Sequence, residues 1–371
     1  MRIAYVCLDP GIPVFGTKGA SVHIQEVIRE FLQRGHHVEV FAIRRGNTVP
    51  QDLQELKVHE FPIATKDPAE REQAQIALSE TVAAKIKEFN ADLVYERYSL
   101  FSKVIALVGL PSILEVNSPL IDEQRNHRIL VDGATAADAL QVQVEAATAT
   151  ICVSDPVRHW VTANTTGGSV HTIPNGVNIQ RIQPHAEEID SVPIVVFVGT
   201  LKPWHGVPDL LLAAAQAETD WKLRIIGDGP EREALTKQAQ QLNIDVDFRG
   251  AVDPSEIPLH LAGTAIAVAP YPKTENSNDQ YFSPLKIYEY MAAGLPIVAS
   301  QVGQIPNILG TSGELIPPSN PSAISSAIDG LVRDPKRRKI LGKEARDLAE
   351  KHHSWTSVVD KILRTAQMED R

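Results

Sequence analysis

Lys286 and Glu289 stand one helical turn apart in FSPLKIYEYMAAGLPIVAS, residues 282–300, directly behind a Ser-Pro step. Ser283 is read as an N-cap and Pro284 as the first helical residue, where a missing N–H costs nothing. Gly294 falls just past the helix end, and LPIVAS reads as a buried strand. Such a helix start has free N–H groups and the positive end of the macrodipole, which suit an anion. An acid one turn further on, beside a lysine, suits hydroxyl groups instead. Together these residues predict a ligand that is anionic at one end and hydroxylated at the other. The competing reading is a plain helical ion pair worth about 0.2–0.5 kcal/mol.

A second cluster follows the strand-like run IVVFVGT. In TLKPWHG, Lys202 and His205 fall at the carboxyl end of that strand, where a phosphate would sit. In the amino-terminal half, GIPVFGTKGASVH sets Gly11, Gly16 and Gly19 between the first strand and the first helix. This is not G-x-G-x-x-G, so the nicotinamide fingerprint is absent, but a glycine-rich turn there still allows close backbone approach to a ligand. Asp245-Val246-Asp247 has the D-x-D form that can hold a divalent ion. Its second acid enters a strand pattern, and oxygen-ligand sites need several converging donors, so no metal is assigned. No Cys/His spacing suggests zinc. RNHR at 125–128 reads first as a solvated helix face, and otherwise as a docking patch for an anionic acceptor or lipid headgroup. His36 and His37 precede a strand and are assigned to the surface.

The elements that must position these groups repeat a βαβ rhythm twice. RIAYVCL, HVEVFAI, ADLVYERY, SILEVNS and TICVS read as strands; SVHIQEVIREFLQRG and the stretches near 68–89 and 132–149 read as helices. A polar segment, NIQRIQPHAEEIDSVP, interrupts the pattern as a candidate linker. The rhythm restarts with IVVFVGT, GVPDLLLAAAQA, KLRIIGDG, PEREALTKQAQQL, VDFRG and AIAVAPY, and closes with HHSWTSVVDKILRTAQ. The expected fold class is α/β, with two Rossmann-like domains facing a cleft and ligands at the carboxyl ends of their strands. The chain of 371 residues is long enough for two such cores, and 43% hydrophobic with 22% charged residues describes an ordinary globular protein. A net charge of −10 argues against nucleic acid as a general partner. Cys7 and Cys152 lie in apolar strands and are expected to be buried, reduced thiols of a cytoplasmic protein. The N-terminal apolar run is too short for a signal peptide, and no uncharged stretch approaches a membrane span.

FSPLKIYEYMAAGLPIVAS resembles the helix start of group-one retaining glycosyltransferases (family four) of the GT-B fold. GTKGASVHIQE, TICVSDPVR, IPNGVN, FVGTLKPWHGV, IIGDGPERE, FRGAV, GELIPP and the late HSW follow in the order of that family over some 350 residues. The resemblance implies an acceptor-binding domain over 1–175, a nucleotide-sugar-binding domain over 190–352, and a terminal helix, 353–371, that crosses back to the first domain. Glu289 would accept hydrogen bonds from the ribose hydroxyls. The backbone of Ser283, Pro284, Leu285 and Lys286 would hold the diphosphate, with Lys202 and His205 offsetting its charge. Thr200, Gly227 and Gly229 would line the donor site, Gly16 and Gly19 would reach it from the first domain, and the base would meet the loop after Arg249, near Val252. Lys18, Ser21, His23, Tyr98 and Arg125 are the expected acceptor contacts.

Two positions depart from the family's pattern. Tyr281 stands where an E-x7-E pair has its first glutamate, which orients the hydroxyls of the donor sugar. Asn117 stands where a histidine often ends the strand matching LEVNSP; an amide can hydrogen-bond a hydroxyl but cannot take its proton. Asn117 is nevertheless grouped with Lys202, His205 and Lys286 as catalytic, because the leaving diphosphate helps deprotonate the acceptor in the family's front-face reaction. The implied partners are a nucleotide sugar, its base unassigned, and a glycan, lipid-linked or small-molecule hydroxyl, with no cofactor, no metal and no nucleic acid. Association with the inner face of a membrane stays open. An inactive nucleotide-sugar-binding or regulatory protein, and an epimerase or hydrolase of the same fold, are the alternative readings.

Overall fold

Short apolar runs separated by helical segments give two parallel sheets, each buried on both faces, because crossover helices cover a parallel sheet on either side. The computed structural model describes residues 1–185, 192–275 and 280–368. The chain divides into two units: Met1–Asn175 with Tyr281–Ser283 and the segment from Trp355 onward, and Gly176–Gln280 with Pro284–Ser354.

The first unit holds β1 (Arg2–Cys7), β2 (His37–Ala42), β3 (Lys57–Glu60), β4 (Leu93–Arg97), β5 (Ser112–Val116), β6 (Ala149–Cys152) and β7 (Val170–Thr172), all parallel, in the order β3-β2-β1-β4-β5-β6-β7. Its helices are α1 (Gly19–Gln33), α2 (Pro68–Phe89), α3 (Val104–Val108), α4 (Leu120–His127), α5 (Gly133–Ala146) and α6 (Asp155–Asn164). The strand order reverses between β1 and β4, which marks the carboxyl ends of those strands as the place for a ligand.

The second unit holds β8 (Ile194–Val198), β9 (Lys222–Ile226), β10 (Val246–Gly250), β11 (Ile266–Ala269), β12 (Ile297–Ser300) and β13 (Glu314–Ile316), parallel again, in the order β10-β9-β8-β11-β12-β13. Its helices are α7 (Val207–Ala215), α8 (Arg232–Gln241), α9 (Ile257–Leu261), α10 (Leu285–Ala292), α11 (Ile305–Leu309), α12 (Pro321–Arg333) and α13 (Pro335–Leu348). Here the order reverses between β8 and β11.

The last helix, α14 (Trp355–Thr365), belongs to the first unit. It buries Trp355, Val358, Val359, Ile362 and Leu363 in the core that β1 and α1 share, each side chain contributing about 1.5–3 kcal/mol. Arg34 of α1 pairs with Asp360 at 2.7 Å, and Thr356 donates to Glu30 at 3.0 Å.

Two expectations need correction. Residues 186–191 of the supposed linker lie outside the described residues. Its earlier part is docked rather than free: Ile182 is buried, and Arg346 of α13 donates to the carbonyls of Ile179 and Ile182 at 3.1 and 2.8 Å. β3 and β7 were not read as strands, because each is short, lies at a sheet edge and alternates weakly (KVHE, VHT). The RNHR stretch ends α4 with exposed side chains, in keeping with the solvated helix face expected there.

Candidate functional site

In the second unit, β8 ends in Phe197-Val198, and the loop that opens at Gly199 carries Thr200, Lys202 and His205. Gly199 has φ +154°, and a Cβ there would lie 2.8 Å from the Lys286 ammonium. Lys286 is therefore laid across the end of β8. Its Nζ sits 4.1 Å from the centre of the Phe197 ring and 5.1 Å from that of Tyr271, a cation–π setting. Nζ is buried and has no hydrogen-bond partner among the described residues. Burial pulls its pKa from the ordinary lysine value of 10.5 down to about 7, against the opposing effect of Glu289. The helix that holds it is pinned one turn later, where Tyr290 Oη accepts from Val198 N at 2.7 Å.

A buried ammonium lacking an acceptor costs several kcal/mol unless a ligand supplies one. Glu289, half-buried, is three residues further along α10 and faces the same region electrostatically. In the first turn of α10 the Ile287 N–H bonds the Pro284 carbonyl at 3.0 Å, and those of Leu285 and Lys286 have no intrahelical acceptor, as at any helix start.

The helix start differs from the sequence reading in one respect. Pro284 occupies the N-cap position, Leu285 is the first helical residue, and no side chain caps the helix. Ser283 belongs to the first unit, where its Oγ accepts from Asn175 N and its carbonyl from Asn175 Nδ2, both at 3.1 Å. Pro284 has no N–H to offer an anion, so that role rests on Leu285 and Lys286.

His205 is also revised. Nδ1 donates to the Thr200 carbonyl, and burial together with the charge of Lys286 lowers the ring's pKa to about 3. Near neutral pH it is a neutral imidazole that shapes the loop, and it adds no positive charge. Lys202 is half-buried, with Nζ 5.3 Å from the centre of the Trp204 ring.

Gly227 and Gly229 were expected to line the donor site. The room they leave is instead filled by backbone: a Cβ on Gly227 (φ +135°) would lie 1.9 Å from the Gly199 carbonyl oxygen, and one on Gly229 would lie 2.4 Å from that of Leu201. They let the ends of β8 and β9 close together and so set the height of the Thr200–His205 loop. Gly227→Ala is expected to destabilise the protein by about 1–3 kcal/mol through backbone strain, read as a fall in denaturation midpoint; an unchanged midpoint would remove this role. Arg249 is exposed and bonds Asp247 at 2.8 Å, Arg224 holds the same carboxylate at 3.0 Å, and Val252 is half-buried. Asp247 is thus engaged by two arginines.

In the first unit the residues fall into two groups. Lys18 is exposed at the N-cap position of α1, and Gly19 opens that helix. Ser21 is buried and donates to the Pro13 carbonyl at 2.6 Å, and a Cβ on Gly16 would collide with Ser21 Oγ at 2.6 Å. Ser21 therefore fixes the loop instead of meeting an acceptor. Tyr98 is 3% exposed, and its hydroxyl is buried without a partner among the described residues. Arg125 points to solvent and pairs with Asp122 at 3.2 Å. Burial corrects Ser21 and Tyr98 as direct acceptor contacts.

Asn117 and His23 meet through a residue the sequence reading passed over. Glu115, on β5, is 2% exposed. His23 Nε2 lies 3.0 Å from both of its carboxylate oxygens, Arg97 donates at 3.2 Å, and the Tyr95 hydroxyl and the Asn117 amide also donate to it. His23 is itself 4% exposed, so it supports the network and does not face a ligand. Burial alone would raise the pKa of Glu115, but His23, Arg97 and Asn117 bring it down to about 2. Tyr281 lies in the first unit, where its hydroxyl donates to Glu123 and its carbonyl accepts from Ser154.

Two doubly wound parallel sheets in series, the second carrying a buried lysine and a helix start beyond its reversal point, have the GT-B architecture. The first half, residues 17–181, matches the family described as Glycosyltransferase Family 4, and residues 192–334 match Glycosyl transferases group 1. The chain belongs to the group 1 glycosyltransferases, enzymes whose sugar donor is a nucleotide sugar. It is 30% identical to a phosphatidyl-myo-inositol mannosyltransferase of Mycobacterium leprae over 58% of this chain and 57% of that protein. It is 24% identical to the MMP alpha-(1->4)-mannosyltransferase of Mycolicibacterium hassiacum over 92% of each. Among solved structures, Anabaena HepE in complex with UDP superposes with a TM-score of 0.70 at 18% identity, covering 99% of this chain and all of that one.

Proposed function

We propose that the chain transfers a hexosyl group, with retention of anomeric configuration, from a nucleotide sugar held by the second unit to a hydroxyl of an acceptor held by the first. The observation that carries this reading is the Lys286 ammonium, buried and without an acceptor beside the open amides of α10. A donor diphosphate supplies what it lacks. As the bond from the anomeric carbon to the diphosphate oxygen breaks, charge builds on that oxygen, and a preplaced cation stabilises it most at that moment. The bond to the acceptor oxygen forms on the same face, and the departing diphosphate takes the hydroxyl proton. Asn117, which cannot accept a proton, is compatible with this route as a hydrogen-bonding group. Retention is supported by the family pattern. A mannosyl or similar hexosyl group is supported by the relatives' names, and placement in glycoconjugate biosynthesis by the same names. Among the described residues no helix is long and apolar enough to cross a membrane.

The test is incubation of UDP- and GDP-sugars with candidate acceptors, with the anomeric configuration of the product read by NMR. An inverted product would overturn retention, and binding of the donor without turnover would favour a nucleotide-sugar-binding protein. Glu289→Gln is expected to weaken both nucleoside and nucleoside-diphosphate binding by about 1–3 kcal/mol, because a charged acceptor to ribose hydroxyls becomes a poorer one. Calorimetric affinities equal to those of the parent would return Glu289 to the helical ion-pair reading.

A further inference from the structure

The first unit contains a cavity of about 260 Å³. It lies beyond the carboxyl ends of β1, β4 and β5, around the reversal of the sheet. Its charged lining is Asp9, Arg71, Glu72, Glu123 and Arg128, with Phe101 among the apolar walls. The acids are engaged. Glu72, 2% exposed, accepts the backbone N–H groups of Val131 and Asp132 at 2.9 and 2.8 Å, which ties the loop after α4 to α2. Asp9 accepts from Gly11 N at 2.7 Å, and Glu123 accepts from the Tyr281 hydroxyl. By contrast, the guanidiniums of Arg71 and Arg128 have neither a hydrogen bond nor an ion pair among the described residues.

We propose that this cavity is a subsite for a phosphorylated polyol: one phosphate held by Arg71 and Arg128, and hydroxyls donating to the open oxygens of Asp9 and Glu123. The inference rests on the first unit being the acceptor-binding one, and it names the class of acceptor. A guanidinium pair matches a phosphate geometrically as well as electrically. Three acids against two arginines make the site poor for a bare anion, so the hydroxyls are part of the recognition. The volume falls below the roughly 300–1,000 Å³ of drug-sized sites, which suits one small polar unit and not a long glycan. Of the RNHR stretch, it is Arg128 that lines the cavity while Arg125 pairs with Asp122. Tyr281, standing in for the family's glutamate, serves here by holding Glu123 in the wall.

The experiment is isothermal calorimetry on the full chain with a panel of hexose, inositol and glycerol monophosphates, their unphosphorylated parents and inorganic phosphate. A parallel arm sediments the protein with phosphatidylglycerol or phosphatidylinositol vesicles against phosphatidylcholine vesicles. Expected is binding of a phosphorylated member and little binding of its parent or of phosphate. Arg71→Gln and Arg128→Gln should each weaken it about ten- to hundredfold. Their melting temperatures should stay at the parent value, since neither guanidinium has a partner to lose. Binding to soluble monophosphates identifies a free metabolite, and binding only to the anionic vesicles, lost in both variants, identifies a lipid headgroup. No binding in either arm, or binding the variants leave unchanged, overturns the proposal. UDP and GDP titrated into the same samples separate the two failures: intact nucleotide binding with no polyol-phosphate binding sinks this inference alone, whereas loss of both sinks the glycosyltransfer reading beneath it.

Discussion

Lys286→Met is expected to lower transfer by about 10²–10³-fold while leaving the protein as stable as the parent or more so. The two effects share one cause. In the unliganded chain the ammonium is buried against Gly199, Phe197 and Tyr271 with no acceptor, so the folded state bears its desolvation cost. Methionine fills the same space without a charge, so the cost disappears with the catalytic group. A group that activity needs and that destabilises the fold trades stability against function, so its removal should move the two in opposite directions.

The pH dependence carries the same signature. Below pH 7 Lys286 is protonated in both the folded and unfolded chains, and its cost is constant. Between about 7 and 10.5 the unfolded chain binds more protons, so the contribution of this residue to stability improves as pH rises through that window. The methionine variant should lack that rise. Conversely, a diphosphate needs the charged form, so binding at pH 8 should draw a proton from the buffer, seen as a binding enthalpy that changes with buffer ionisation enthalpy. A variant that keeps full transfer, or a parent that takes up no proton, would place the diphosphate elsewhere.

What could be read from the chain followed from local pattern. Apart from the short β3, β7 and β13, the strands of both sheets announced themselves as apolar runs ending in glycine or polar residues, and α10 was legible from its Gly294 stop and 3.6-residue period. Lys286 and Glu289 were legible as a pair because three-residue spacing on a helix is a local fact. Its surroundings were not: Gly199 and Phe197 lie on another strand, and only their approach turns an ordinary lysine into one with a depressed pKa. Ser283 was misassigned for the same reason, since the partner that claims its hydroxyl, Asn175, is 108 residues away. Glu115 escaped notice inside LEVNS as an acid in a strand, where an exposed face is the usual inference. Its partners His23, Tyr95 and Arg97 stand 92, 20 and 18 residues away, and no spacing rule joins them. The place of Arg128 in the first unit's cavity was hidden for a related reason: from RNHR alone, which of its two arginines faces inward depends on where α4 stops.

Glu115→Gln is expected to cost about 3–5 kcal/mol, because it removes one side of a buried charge cluster and leaves Arg97 facing a neutral amide. Glutamine keeps the volume and can still accept from Tyr95, so the loss reports charge and not a cavity. For a unit of this size the melting temperature should fall by roughly 10 °C. The acid limb identifies the group. Glu115 has its pKa lowered to about 2 from the ordinary glutamate value of 4.5, so its stabilisation is complete above about pH 5 and is lost as pH falls through 4 towards 2. The variant should show a flatter stability profile across that range. Function should follow by a different route from that of Lys286. Asn117 loses a charge-assisted anchor on β5, so turnover should fall while nucleoside-diphosphate affinity, set in the second unit, stays near the parent value. Arg97→Met added to Glu115→Gln should recover much of the stability, since the stranded cation is then gone, but should not restore Asn117 or turnover. Chemical denaturation at several pH values, paired with kinetics at pH 7, measures all of this. If Glu115→Gln keeps the parent's acid limb, the network carries no net charge stabilisation, and Asn117 is positioned by packing alone.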